Sequence, residues 1–237
     1  SSDIADSLYN IAHNDNPQDF SDMLILSSDK GIDTRQMTIL ININFFERFG
    51  TVPKLARIYS AYQLFYKQGK PIKSMRKDKV GNGDFAEVVK SHSTDKTKTG
   101  KEAASYTFAT EEDVAECLRD CERHILALPV PDLSLKDKIQ NSIDYLGYCD
   151  VQTGDPKDRR KLIIGDVHAK RSNTSGAIWA YSLDVQSLGT GKASQLTVLS
   201  RMYDKNPIKK GDIVYCKNIY KNERGYWYMN DWSQISS

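Results

Sequence analysis

KLIIGDVHAK (161–170), AIWAYSLDV (177–185), QLTVLSR (195–201), DIVYCKNIY (212–220) and GYWYM (225–229) are the stretches that decide the fold. Each is a short run rich in Val, Ile, Leu, Tyr and Trp, and Gly, Asn, Ser and Pro separate one from the next. Strands read this way, because β-branched and aromatic side chains fill a half-buried pleated surface while the punctuating residues make turns. Five short strands fit a small closed barrel, and the oligonucleotide-binding (OB) barrel is the commonest of that strand count. Gly165-Asp166 and Gly211-Asp212 have the form of bulge or strand-start positions, where a short acid bonds local backbone N–H groups.

Upstream the period changes from two to three and four, which means helices. Phe20, Met23, Leu24 and Leu26 share one segment. Asp33 caps the next, with Met37, Leu40, Ile41 and Asn44 on one side, the cluster Phe45, Phe46 and Phe49 beyond, and Gly50 as the expected stop. Pro53 opens the clearest helix, with Leu55, Ile58, Tyr59, Tyr62, Phe65 and Tyr66 inward. Thr110 and Asp113 form a capping arrangement ahead of Val114, Cys117, Leu118, Cys121 and Ile125. Ser134 caps a helix that carries Leu135, Ile139, Ile143 and Leu146 and stops at Gly147. Between Gly69 and Tyr106 the pattern dissolves into Lys, Gly, Ser and Thr, with Phe85, Val88 and Val89 suggesting a short helix; a flexible connection or insertion is expected there. The whole reads as an α+β multidomain chain: a helical segment over 1–68, the connection over 69–106, a helical pair over 107–150, and a five-stranded OB β-barrel over 157–235.

Hydrophobic residues make up 39% of the 237 and charged residues 27%, a globular composition at the polar end of its class. No run approaches the apolar length of a membrane helix, so no membrane partner and a cytoplasmic location are expected. The four cysteines form no dense disulfide framework, which suits a reducing compartment. Net charge is +2, yet residues 1–156 carry net −5 and residues 157–237 carry 14 Lys and Arg against 7 Asp and Glu. A basic C-terminal third on an acidic body suggests that the barrel meets phosphate.

Catalytic constellations are weak. Asp166, Asp184 and Asp212 are the carboxylates that a two-metal centre would draw on, but their positions suit local backbone bonding better. Cys117, Cys121 and His124 have zinc-ligand chemistry on one helix face, yet both cysteines fall on its apolar stripe and no second ligand pair accompanies them. No triad, Walker loop or GxGxxG is present. What remains is aromatic and basic residues interleaved across the barrel: Trp179 and Tyr181 alternating onto one strand face, Tyr215, Tyr220, Tyr226, Trp227 and Tyr228 on later strands, and Lys170, Arg171, Lys209 and Lys210 bordering loops. Rings stack on bases while cations neutralise the backbone, so this mixture suits single-stranded nucleic acid. Filling of the barrel's own core by the same rings is the competing account. Lys170, Arg171, Trp179, Tyr181, Lys209, Lys210 and Tyr226 are the nucleic-acid-binding candidates, with no catalytic or metal-binding residue assigned.

Two stretches carry a family resemblance. GIDTRQMTILININFFERFG (31–50) resembles the segment that follows the helix-hairpin-helix in bacterial DNA polymerase III alpha subunits, with Thr34-Arg35-Gln36, Ile39-Leu40, Phe45-Phe46 and Gly50 in the corresponding places. Leu146-Gly147-Tyr148, Ile164-Gly165-Asp166-Val167 and Asn206 to Val214 are similar to the barrel at the far end of divergent members. Ile43-Asn44-Phe45 departs from the small residues usual there. The resemblance implies a helical fingers or clamp-region segment joined to an OB barrel, the DNA-binding portion of a C-family replicative polymerase, cytoplasmic and acting in DNA replication. The hairpin would precede Ser1 and the catalytic palm, a nucleotidyltransferase centre using Mg²⁺, would lie further upstream. No cofactor is expected in this chain. Single-stranded and duplex DNA are the implied partners, together with a sliding clamp, for which Gln63-Leu64-Phe65 has the composition but lies within an amphipathic helix. An independent single-strand-binding or adaptor module, and a small metal-dependent nuclease, are the alternative classes.

Overall fold

The computed structural model describes residues 2–235 other than 82, 84, 97 and 98. They divide into two compact units, one ending at Asp132 and the other beginning at Leu133.

In the first unit, α1 (Ser2–Asn10) runs into a π-helical turn (Ile11–Asp15) that ends on Asn16 in the left-handed region, followed by α2 (Phe20–Asp29), α3 (Thr34–Asn42), α4 (Val52–Phe65) and, later in the chain, α7 (Glu111–Ala127). Asp33 and Thr110 cap α3 and α7 as expected, and both do so in capping boxes, Asp33 with Gln36 and Thr110 with Asp113. The stop of α3 is not Gly50. Asn44 takes the left-handed conformation (φ 61°) instead, a role that Asn shares with Gly because its short side chain tolerates it. The fully buried stripes of α4 (Leu55, Ile58, Phe65) and α7 (Val114, Cys117, Leu118, Cys121, Ile125) pack against one another.

Glu122, only 3% exposed, is a charge buried within this core. Its carboxylate accepts from the backbone N–H of Phe20 (2.8 Å) and of Ser21 (2.7 Å) and from the Ser21 hydroxyl. These amides open α2, whose first turn has no intrahelical acceptors, and the positive end of the helix dipole favours the anion. One residue of α7 thus fixes where α2 begins.

The stretch 69–106, expected to be a flexible connection, is folded. β1 (Tyr66–Lys67) and β2 (Lys70–Pro71) pair across Gln68-Gly69, and β3 (Ser74–Arg76), β4 (Thr94–Lys96) and β5 (Glu102–Thr107) form an antiparallel sheet in the order β3-β5-β4. Between them lie α5 (Lys77–Val80) and α6 (Ala86–His92), the latter where Val88 and Val89 suggested a helix. Strands of two or three residues, as four of these five are, are too short to show alternation. Met75, Val80 and Val89 nonetheless supply buried contacts, and Lys77 ties β4 to β5 through Asp95 (3.4 Å) and Glu102 (2.8 Å).

The second unit opens with α8 (Leu135–Leu146), capped by Ser134 and closed by Gly147 (φ 81°) as expected. The helical pair expected over 107–150 is divided, α7 belonging to the first unit and α8 to the second. Ile139 is buried with Ile163, Leu188 and Ile213 of the barrel, and Leu135 and Ile143 pack on that cluster, so the helix belongs with the strands. The barrel comprises β6 (Lys161–Arg171), β7 (Ile178–Ser187), β8 (Ala193–Leu199), β9 (Ile213–Lys221) and β10 (Trp227–Gln234), with α9 (Ser200–Tyr203) between β8 and β9. It closes in the order β10-β8-β7-β6-β9, with β9 and β10 paired. All pairings are antiparallel except β8 with β10. This closed mixed barrel of five strands is OB-like in strand count and connectivity. Register slips between Ile164 and Val167, the bulge expected at Gly165-Asp166. Leu162, Ile164, Leu183, Val185, Leu196, Val198, Val214, Met229 and Trp232 fill the interior.

Removing the Glu122 carboxylate should leave buried N–H donors unsatisfied, which costs about 1–3 kcal/mol. Glu122→Ala is therefore expected to lower the melting temperature and to speed amide exchange at Phe20 and Ser21, with a smaller effect for Glu122→Gln, which keeps one acceptor. Unchanged exchange at those two amides would contradict this role.

Candidate nucleic-acid interface

Exposure sorts the aromatic residues. Trp232 is interior and Tyr181 half-buried, whereas Trp179 (45% exposed), Tyr226 (61%) and Trp227 (46%), with Tyr215 and Tyr220, project into solvent. Core filling therefore accounts for the first two and not for the other five. Tyr181 is occupied internally: its ring stacks on Tyr203 of α9 at 3.8 Å between centroids, and Tyr203 donates its hydroxyl to the Ile208 carbonyl (2.6 Å). Tyr181 and Tyr203 both pack on the barrel core, so Tyr181 is better read as a plug of the barrel than as a stacking platform. On the β9–β10 hairpin, Tyr220 and Tyr228 face each other across the strands with centroids 5.4 Å apart, and Lys221 Nζ stands 5.7 Å from the Trp227 ring centroid. The turn that presents Tyr226 is pinned by Asn222, whose Oδ1 accepts from the backbone of Arg224 (3.1 Å) and Tyr226 (2.9 Å).

The basic residues named from sequence are largely engaged by their surroundings. Lys170 Nζ donates to Thr197 Oγ1 (3.1 Å), Arg171 to the Gly176 carbonyl (3.1 Å), and Lys210 forms an ion pair with Asp166 (3.0 Å). Lys209 is exposed, and its backbone N–H donates to Asp212 (2.8 Å), the local bond expected of that acid.

A different set of cations gathers at one end of the barrel. Arg159, Arg160, Lys192 and Lys217 line a cleft of about 530 Å³, with Leu162, Leu196 and Cys216 of the core as its apolar lining and Trp227 and Ile219 beside it. Among the described residues no Asp or Glu lines it. Among the described residues no carboxylate pairs with Arg159, Arg160 or Lys192, while Lys217 lies 3.6 Å from Asp231. Burial pushes the Cys216 thiol up, and the Arg160 guanidinium opposes that shift.

One wall of the cleft is built by a close backbone approach. The 3-10 turn Pro156–Arg160 lies against the β7–β8 hairpin, where Leu188 N–H donates to Lys161 (2.8 Å), Gly189 N–H to Asp158 (3.3 Å) and Ser187 Oγ to the Arg159 carbonyl (3.1 Å). A Cβ at Gly189 would stand 2.5 Å from the Asp155 carbonyl oxygen and 2.7 Å from the Arg159 nitrogen. Only glycine lets the two segments meet. Arg159 and Arg160 escaped the sequence reading because they precede the first strand, and Lys192 because it sits in a hairpin turn; no pattern along the chain joins them.

Of the three carboxylates considered for a metal centre, Asp166 and Asp184 come together with His168, ligand-type atoms lying within 4.8 Å of one another, while Asp212 does not join them. Lys210 occupies Asp166, and Gln195 donates to Asp184 (3.0 Å). Cys117 and Cys121 are fully buried in the α7 stripe and His124 is exposed, so these three do not converge. Phe65, of the stretch considered for a clamp contact, is fully buried at the end of α4. Among the described residues no helix is long and apolar enough to cross a membrane.

Comparison with protein-family models, with curated proteins and with solved structures gives no match.

Gly189→Ala is expected to force the turn and the hairpin apart. A backbone clash of this size ranks with overpacking, at about 1–3 kcal/mol. The melting transition should fall and the amide of Leu188 should lose exchange protection. A variant as stable as the parent chain would show that the seam tolerates a methyl group.

Proposed function

We propose that this chain is a non-catalytic nucleic-acid-binding portion of a larger machine, in which the barrel holds single-stranded DNA. The observation that carries the reading is the exposure of Trp179, Tyr215, Tyr220, Tyr226 and Trp227 on a barrel whose segment, 157–237, is net +7. Large rings in water cost free energy unless a partner covers them, and bases are the partner that rings and cations recognise together. The family resemblance extends this to a parent: a C-family DNA polymerase that carries out DNA-directed synthesis with Mg²⁺ in a palm outside this chain. The first unit would be its fingers or clamp region, contacting duplex DNA, with a sliding clamp among the replisome partners and a cytoplasmic setting.

Titration of the 237-residue chain with labelled single-stranded and duplex DNA at several salt concentrations tests the reading. Log affinity for the single strand should fall linearly with log salt, at about −0.7 per phosphate contacted. Tyr226→Ala and Trp179→Ala should each weaken binding by about 1–3 kcal/mol and leave that slope unchanged. Binding that is absent, or indifferent to salt, would overturn the proposal. Cleavage of the strand on addition of Mg²⁺, abolished by Asp184→Asn, would favour a nuclease centred on Asp166, His168 and Asp184 instead.

A further inference from the structure

The cleft at the end of the barrel has the chemistry of a subsite, and the residues that make it are not those that a reading of loops and strands selects. Its four cations come from three separate segments: Arg159 and Arg160 from the 3-10 turn, Lys192 from the β7–β8 hairpin and Lys217 from β9. Lys217 lies 3.6 Å from Asp231, while Arg159, Arg160 and Lys192 gather with no carboxylate paired to them among the described residues. Like charges so placed repel one another and burden the folded state, so their convergence calls for an anion. A solvated lysine surface would not explain the rest of the cleft. Trp227 and Ile219 leave apolar surface in water beside the cations, and core residues Leu162, Leu196 and Cys216 are reached from the opening. A cleft of about 530 Å³ falls in the range that takes a small-molecule-sized group. The occupant must offer negative charge at its edge and a flat apolar face within.

We propose that this cleft holds one nucleotide of a bound single strand, its base against the Trp227 ring and its two flanking phosphates among Arg159, Arg160, Lys192 and Lys217. This rests on the barrel binding single strands and says where the strand is gripped. The grip is sequence-tolerant, since every base offers a π-face and the cations meet only the backbone. Lys209 and Lys210, within the β8–β9 connection, are not among the residues that line it, and Lys210 pairs with Asp166.

The experiment uses the full 237-residue chain and two fluorescent probes of equal length, oligothymidylate and an abasic deoxyribose-phosphate strand, each titrated across a salt series, with circular dichroism on every variant. Lys192→Ala with Lys217→Ala should flatten the salt slope by about 0.7 for each phosphate no longer neutralised, for both probes alike. Trp227→Ala should weaken oligothymidylate binding about 5- to 150-fold, leave its slope unchanged and leave the abasic strand unaffected, and Trp227→Phe should restore most of the affinity. Lys136→Ala, an exposed lysine of α8 outside the cleft, serves as the contrasting variant and should change little. If the parent chain binds oligothymidylate while the folded cleft variants bind it as well as the parent does, the cleft assignment is wrong and the barrel reading stands. If the parent chain binds neither probe, both fall together.

Discussion

The contact between the turn Pro156–Arg160 and the β7–β8 hairpin is the constraint on which the second unit's organisation rests. At Gly189 the two backbones approach more closely than any side chain permits, and the hydrogen bonds of Ser187, Leu188 and Gly189 seal the seam. The same hairpin reaches the other way, for Leu188 also accepts from Thr153 N–H (2.8 Å) and is buried with Ile139 of α8. One hairpin therefore locks the helix, the linking segment and the start of β6 together. The cleft is a consequence: with the turn held against the hairpin, Arg159, Arg160 and Lys192 line one opening together with Leu162, Leu196 and Cys216 of the barrel core.

Charge plays opposite parts in the two units. In the first, Glu122 is buried and every contact it makes is structural, completing the N-terminus of α2 from a position 101 residues distant in the chain. Arg119, on the same helix, pairs with Asp22 (3.1 Å) and Glu112 (3.2 Å). In the second unit, several charges stay exposed and unpaired around an opening. Paired and buried charge organises a fold; unpaired charge beside exposed rings offers itself to a partner.

Much of this architecture is legible along the chain because it is local. The β-strands of the barrel follow from short β-branched and aromatic runs, and the caps at Asp33, Thr110 and Ser134 follow from side chains three residues from the amides they serve. Even the bulge at Gly165-Asp166 is written in two adjacent residues. What the chain conceals is long-range. Four of the five strands in 66–107 have two or three residues and no period to read, and α8 reads as one of a helical pair although its apolar stripe is buried with Ile163 and Ile213. The candidate site is harder still: Lys210 pairs with Asp166, 44 residues away, Tyr181 stacks on Tyr203, and Arg159 and Arg160 meet Lys192 through the Gly189 seam. Aromatic residues on the β9–β10 hairpin were legible as a group, but their division into buried and exposed members needed the barrel to close.

The most direct measurement of the account is the response of the three tryptophan indole N–H signals in a ¹H–¹⁵N spectrum of the isotope-labelled chain as an unlabelled oligothymidylate is added. The three rings differ in setting: Trp227 stands at the cleft, Trp179 is exposed at the start of β7, and Trp232 is enclosed in the core. Stacking of a base in the cleft should shift or broaden the Trp227 signal first and most, while the Trp232 signal stays in place. A Trp227 signal that does not move at concentrations where the strand is bound would contradict the account.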